Sequence, residues 1–218
     1  MNGASLLPGP AGNLEILYRA GEGPRADGLP PAALLCHPHP AHGGTMHNKV
    51  VYRLARALLE EGIAVLRFNF RGVGLSEGAW SGGPGEREDI RCALEHLATL
   101  HPGAPLLMAG FSFGAWNGLA VGCADPRVVS FVAAGLPVGA YAAEAFAGEG
   151  RPLLLVHGEN DTFGAPAQIE AFARAWDGPA EACIVKGADH FFEPRLAQLT
   201  PEVRQHLSAP ARSVTRWV

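Results

Sequence analysis

The sequence lacks long hydrophobic runs and blocks of like charge, and both absences restrict the classes of protein to which it can belong. Its apolar stretches, such as residues 152–156, are far shorter than the roughly 18 residues that a membrane-spanning helix needs. Charged residues make up only 17% of the chain, with a formal net charge of −4. Neither a basic nucleic-acid surface nor an acidic tail is indicated. We therefore expect no membrane and no nucleic-acid partner.

Cysteine is scarce as well, and its spacing is not that of a disulfide framework. The four cysteines are scattered, without a C-x-x-C pair. Cys36 and Cys183 lie in apolar runs, so buried free thiols in a reducing compartment are expected. The opening residues, MNGASLLPGPAG, have neither the basic start nor the apolar centre of a signal peptide. These features predict a cytoplasmic protein.

Short apolar runs alternate with longer amphipathic ones, which is typical of β-α-β units and a largely parallel sheet. We predict strands over residues 13–19, 32–37, 63–70, 105–111, 128–134, 152–157 and 180–186, and helices over residues 48–61, 86–100, 113–123, 167–176 and 191–207. The length of 218 residues suits one α/β domain spanning residues 1–218. Residues 137–150 are the only stretch that suits a lid, and it is short.

A serine stands at the centre of the pattern G-x-S-x-G, in the sequence GFSFG of residues 110–114. An apolar predicted strand precedes it, and a predicted helix follows with almost no loop between them. A sharp strand-to-helix turn with small flanking residues exposes such a serine at the end of a sheet. A serine hydroxyl is a poor nucleophile unless a base lies beside it. We predict that Ser112 is a nucleophile with such a base.

The base and its acid are sought at the ends of later strands, because the carboxyl ends of parallel strands meet at one edge of the sheet. Asp161 follows one predicted strand in GEND, and His190 follows the last one in GADH. His190 would take the proton from Ser112, and Asp161 would orient the imidazole. Glu159 is a lesser candidate for the acid, while Asp189 is interpreted as a turn or helix-cap residue.

An acyl-transfer site also needs backbone N–H groups aimed at the negative charge that develops on the substrate oxygen. One donor is predicted to be the amide of Phe113, which follows the nucleophile. The second should come from the loop HPHP after an early strand, whose prolines carry no N–H. His39 is then the only amide donor among residues 38–40, and Ala41 remains an alternative.

Other patterns near these residues favour structural roles. His37, His39, His42 and His47 suggest a metal alternative, but the loop is broken by prolines and lacks an obvious carboxylate partner, so we predict no metal. The turn RGVG of residues 71–74 lacks the full dinucleotide fingerprint. Trp80, Trp116, Phe191 and Phe192 either line a substrate pocket or pack in the core, and core packing is favoured.

The segment CHPHPAHGGTMHNKVVYRLARALLEEGIAVLRFNFRGVGLSEG, with GFSFG and GADHFF, resembles the small bacterial α/β-hydrolases related to dienelactone hydrolase. H-P-H-P-x-x-G-G-T-M is its most specific part, and the resemblance extends from about Ser5 to the predicted closing helix. It implies an α/β-hydrolase fold with a mostly parallel central sheet, helices on both faces and little or no cap. It also implies a Ser-His-Asp triad at Ser112, His190 and Asp161, acting without metal or organic cofactor.

The chain departs from that family at two positions. Dienelactone hydrolases use a cysteine nucleophile where this chain has Ser112, and many α/β-hydrolases have aspartate where this chain has Asn69. The expected activity is hydrolysis of a small carboxylic ester or thioester through an acyl-enzyme. Acyl transfer on the same triad and non-catalytic binding of a small ligand are the alternatives. A monomer or a homodimer is expected.

Overall fold

The computed structural model describes residues 4–21, 31–141, 146 and 150–208. The strands are β1 (Ser5–Gly9), β2 (Gly12–Arg19), β3 (Ala32–Cys36), β4 (Ala64–Phe68), β5 (Leu106–Phe111), β6 (Val128–Ala134), β7 (Leu153–Gly158) and β8 (Ala180–Val185). The α-helices are α1 (Lys49–Glu60), α2 (Pro84–Leu100), α3 (Phe113–Cys123), α4 (Pro166–Ala175) and α5 (Leu196–Ser208), and a short 3₁₀ helix spans Pro40–His42. The strands form one sheet in the order β1-β2-β4-β3-β5-β6-β7-β8.

The sheet is mostly parallel, as the alternating pattern predicted. β3 to β8 are paired in parallel, and only β2 joins its two neighbours in antiparallel fashion. Successive side chains of a strand point to opposite faces, so Leu34 packs under α2, α3 and α4 while Leu35 packs under α1 and α5. Because helices cover both faces, the central strands β3 and β5 are buried along their whole length.

The first helix illustrates how local sequence sets an element. Its buried stripe of Val50, Val51, Leu54 and Leu58 recurs at helical spacing. Asn48 caps the start, because its side-chain Oδ1 accepts a hydrogen bond of 2.9 Å from the amide of Val50, one of the amides without an intrahelical partner. The chain leaves the helix through Gly62 with φ of 77°, a conformation that glycine adopts without steric cost.

Two elements differ from the prediction. β1 was not predicted, because its half-exposed sequence SLLPG carries no clear alternation. The closing helix begins at Leu196 and not near residue 191. The Asp189 carboxylate accepts hydrogen bonds from the amides of Phe191 and Glu193, and Phe192 has φ of 62°. These contacts close a tight turn over residues 189–193, which a helix cannot continue through.

A cap or lid would lie above the carboxyl ends of the strands, where it would cover the site. No cap domain is present in the ranges that the structure describes. Of the predicted lid, residues 142–145 and 147–149 lie outside those ranges. None of the described helices combines the length and apolar character needed to span a membrane.

Candidate active site

Ser112 lies in the turn that joins β5 to α3 and has φ of 55° and ψ of −121°. This conformation is rare for a residue with a side chain and stores strain. The flanking glycines allow it. A Cβ on Gly110 would lie 2.6 Å from the amide nitrogen of Ala115, and one on Gly114 would collide with the carbonyl oxygens of Cys36 and His37. The strand and helix approach this closely only because both positions are glycine.

Ser112, His190 and Asp161 are joined by two hydrogen bonds. His190 Nε2 lies 3.0 Å from Ser112 Oγ, and His190 Nδ1 lies 2.7 Å from Asp161 Oδ2. Ser112 follows β5, and the aspartate and the histidine follow β7 and β8, so three strands that end at the same edge of the sheet supply the three residues. The side chain of Asp161 has no exposed surface, and that of His190 is 9% exposed.

The bonds of Asp161 determine the tautomer of His190. The amide of Phe163 donates to Oδ1 of Asp161 at 2.8 Å, which leaves Oδ2 directed at His190. A carboxylate only accepts hydrogen bonds, so Nδ1 of His190 carries the hydrogen in that contact. Nε2 of the neutral ring is then the acceptor that faces the hydroxyl of Ser112, which is the arrangement a general base requires.

The two rival acids have other partners. Glu159 is exposed and its carboxylate accepts a hydrogen bond of 2.7 Å from the amide of Gly187. Asp189 closes the turn that delays α5, as the sequence interpretation of a turn residue requires. Among the carboxylates in the described ranges, Asp161 is therefore the one bonded to His190.

The loop after β3 is fastened by His37, which is fully buried. Its Nδ1 donates to the carbonyl of Pro38 at 2.6 Å, and its Nε2 accepts from the amide of Phe70 at 3.0 Å. Burial lowers the pKa of His37 to about 3, against a smaller opposing effect of the Pro38 hydrogen bond. The ring is therefore neutral, and with both nitrogens bonded it has no free lone pair for a metal ion.

His39 and Phe113, the predicted amide donors, lie side by side, with ring centroids 5.1 Å apart. Phe113 is the first residue of α3, so its N–H has no acceptor within the helix. Neither this amide nor that of His39 donates to another group in the described ranges. The carbonyl of His39 accepts from the amides of His42 and Gly44, which closes the turn that begins at His39.

The cluster of four histidines does not form a metal site in the described ranges. His37 has both nitrogens bonded, and the ring of His39 packs on those of His42 and Trp80, at centroid distances of 4.4 and 4.6 Å. Elsewhere, Cys183, Glu202 and His206 place one ligand atom each within 4.8 Å of one another. The imidazole of His206 is paired with Glu181 at 3.0 Å, which accounts for its position without a cation.

Aromatic side chains surround the mouth of the site. Phe163 and Phe191 are 45% and 44% exposed, and their rings lie 4.5 and 5.3 Å from that of His190. Trp80 is 38% exposed, whereas Phe192 and Trp116 are buried. Core packing is thus correct for Phe192, whereas Trp116 packs in the core and also lines a cleft near Ser112. Phe163 was missed, although its place two residues after Asp161 was the available signal.

An open cleft of about 540 Å³ lies beside Phe113, between the start of α2 and α3. Phe113, Trp116 and Tyr141 form its apolar wall, and Arg87 and Arg91 of α2 stand on the other side. Nε of Arg87 donates to the side chain of Asn117 at 2.8 Å. Glu88 also lines the cleft, which therefore offers apolar surface and charges of both signs next to the turn that carries Ser112.

Asn69, the departure noted in the sequence, holds loops together behind the site. Its Oδ1 accepts from the amide of Met46 at 2.8 Å, and its Nδ2 donates to Glu15 at 2.7 Å. The next turn is held by a buried ion pair of Arg71 and Asp89 at 2.8 Å. An amide side chain suits this position because it donates to one loop and accepts from another.

Comparison with known proteins gives the class of this protein. Residues 31–218 match the family model described as "Alpha/beta hydrolase domain", so the chain belongs to the α/β-hydrolase family. The sheet, its helices and the absence of a cap in the described ranges confirm the fold prediction.

Three proteins are similar to this chain over most of its length. An α/β serine hydrolase homologue from Coxiella burnetii is 36% identical, with a TM-score of 0.85 over 95% of this chain and 98% of that one. A serine hydrolase without a lid from Xanthomonas campestris is 33% identical, with a TM-score of 0.84 over 99% and 94%. An uncharacterized protein of Rickettsia prowazekii (strain Madrid E) is 34% identical over 91% of this chain and 86% of its own. The family match and the first two relatives support hydrolase activity.

Proposed function

We propose that the protein hydrolyses a small carboxylic ester or thioester through an acyl-enzyme formed on Ser112. The observation that carries this proposal is the continuous set of hydrogen bonds from Ser112 Oγ to His190 and from His190 to the buried Asp161. Serine alone is a weak nucleophile, and an adjacent imidazole held in the correct tautomer is what activates it.

The geometry supports the following sequence of steps. Ser112 Oγ attacks the acyl carbonyl while His190 Nε2 takes its proton, and Asp161 stabilises the imidazolium. The amides of His39 and Phe113 stabilise the oxyanion, and the loss of one such donor commonly costs about 10²–10³ in rate. His190 then returns the proton to the leaving alcohol or thiol, which departs as the acyl-enzyme forms. Water activated by His190 releases the acid and restores Ser112.

The surroundings of Ser112 favour a small, accessible acyl group. Exposed rings of Phe163, Phe191 and Trp80 frame the mouth, and the cleft beside Phe113 is open to solvent. The H-P-H-P-x-x-G-G-T-M segment supports a proposed relation to dienelactone hydrolases, with Ser112 in place of the cysteine nucleophile of that family. The four free cysteines accord with the proposed cytoplasmic location.

The test is direct. Purified protein should hydrolyse p-nitrophenyl acetate or butyrate and be labelled by a fluorophosphonate at Ser112, whereas Ser112→Ala should do neither. The hydrolase proposal fails if the wild-type protein matches Ser112→Ala in both assays. Matched oxygen esters and thioesters of increasing acyl length would then identify the preferred bond and the size of the acyl site.

A further inference from the structure

A second histidine lies against the acid of the triad. His157 is near the end of β7 and has no exposed surface. Its Nε2 lies 2.8 Å from the carbonyl oxygen of Gly164 and 3.4 Å from Oδ2 of Asp161. The same carboxylate oxygen accepts the hydrogen bond from His190. Two imidazoles therefore converge on one oxygen atom, and only one of them contacts Ser112.

The hydrogen bond to Gly164 defines the state of the His157 ring. A carbonyl oxygen only accepts, so Nε2 carries the hydrogen. Burial lowers the pKa of His157, against smaller opposing effects of Asp161 and the Gly164 carbonyl, and the ring is neutral. Nδ1 is then a bare acceptor, and it has no partner in the described ranges. A buried acceptor without a partner destabilises a fold. The favourable hydrogen bond of His157 is therefore the one that its Nε2 makes.

The Nε2–H group of His157 acts on the loop that carries Asp161. At its start, the amide of Phe163 donates to Oδ1 of Asp161. The carbonyl of Phe163 accepts from the amide of Gly139 at 2.9 Å. His157 holds the end of the loop at Gly164. Without this last bond, the Gly164 carbonyl loses its buried donor, and the end of the loop loses its hydrogen bond to a β7 side chain.

We propose that His157 is a positioning residue that acts through Asp161. Its Nε2–H binds the Gly164 carbonyl and borders Oδ2 of Asp161, which keeps that oxygen aligned with Nδ1 of His190. The inference rests on the proposed function, because it assigns His157 a role in the same triad. His157 does not contact Ser112, so its loss should lower kcat and leave KM unchanged.

Three variants distinguish the effect of the Nε2–H donor from the effect of the ring shape. In His157→Gln the side-chain NH₂ occupies the place of Nε2, so the bond to Gly164 is retained. His157→Phe keeps a ring of similar shape without a donor, and His157→Asn places its amide too close to the backbone to reach Gly164. We expect kcat on p-nitrophenyl butyrate to fall about 10- to 100-fold in the Phe and Asn variants, since displacement of a catalytic group by about 1 Å has effects of that size. The Gln variant should stay within a few-fold of wild type.

The matched control is Ser130→Ala in β6, whose hydroxyl is also buried without a partner in the described ranges. It should leave kcat unchanged. Thermal unfolding of every variant identifies those that fold. If either His157→Phe or His157→Asn does not fold, the kcat of the other variant tests the proposal. Equal kcat in the wild type and a folded Phe or Asn variant would overturn the proposal, and so would a loss in the folded Gln variant as large as theirs.

A substrate-free measurement distinguishes this inference from the proposed function. The Nδ1 proton of His190, bonded to Asp161, should give a far-downfield proton NMR signal in the wild type and in His157→Gln. The signal should move upfield or broaden in His157→Phe. Turnover is not needed, so an inactive wild type that shows this pattern would refute the esterase proposal and retain the role of His157. An unmoved signal in folded His157→Phe would refute the role of His157.

Discussion

The loop after β3 and the loop after β7 each depend on a buried histidine, and the two histidines are bonded differently. His37 uses both ring nitrogens, one on the Pro38 carbonyl and one on the Phe70 amide. His157 uses only Nε2 and leaves Nδ1 without a partner in the described ranges. The loop after β3 positions the backbone amide of His39, and this role requires only a rigid loop. The loop after β7 holds a carboxylate whose negative charge must remain available to His190.

The largest expected effect lies in the loop after β7. Asp161→Asn should lower kcat by about 10⁴-fold, because an amide in this place favours the wrong tautomer of His190. Asp189→Asn is the matched control, since the asparagine carbonyl still accepts from Phe191 and Glu193. Steady-state kinetics on p-nitrophenyl butyrate measures both. A large loss in Asp189→Asn with full activity in Asp161→Asn would reverse the assignment of the acid.

The next effect belongs to the loop after β3. His37→Phe leaves the buried Phe70 amide and Pro38 carbonyl without partners, which should cost about 2–5 kcal/mol of stability. Displacement of the His39 amide should lower kcat about 10²-fold. Urea denaturation and kinetics measure the two changes. His47→Ala, an exposed position in the same loop, should change neither, and wild-type behaviour of His37→Phe would show that this loop is held by other contacts.

A smaller effect is expected where α3 meets the same loop. Gly114→Ala places a methyl group against the carbonyls of Cys36 and His37, which should cost about 1–3 kcal/mol and lower kcat by shifting the Phe113 amide. At Gly43, φ is 77° but a Cβ would meet nothing within 4 Å. Gly43→Ala should therefore cost about 1 kcal/mol and leave kcat unchanged. Equal kcat in the two variants would contradict the proposed oxyanion site.

The smallest effect is a pH dependence of stability. The pKa of His37 falls from 6.5 to about 3 on folding, so the unfolded chain binds a proton that the folded protein excludes. The neutral His37 ring therefore contributes fully to the free energy of unfolding above pH 6.5, and this contribution is lost as the pH falls towards 3. Between pH 6.5 and 5.5 the wild type should lose about 1 kcal/mol more than His37→Phe. Urea denaturation at both pH values checks this, and parallel curves would show that His37 titrates normally.

Local patterns in the sequence predicted much of the fold and of the candidate site. The stripe of Val50, Val51, Leu54 and Leu58 predicted α1, because helical spacing requires nothing beyond neighbouring residues. The turn around Ser112 was predictable for the same reason. β1 was not, since it is stabilised by pairing with β2 and not by its own composition. The start of α5 was misplaced because it depends on the side chain of Asp189 in the preceding turn.

The sequence by itself determined the identity and chain order of Ser112, Asp161 and His190, since strand-end positions and the GFSFG turn are local properties of the chain. Only the tertiary structure decided that His190 contacts both of the others and that Glu159 is directed elsewhere. It also decided the partners of His37 and His157. Hydrogen bonds between residues distant in sequence depend on how the strands are arranged side by side, and that arrangement is produced by burial of the whole sheet.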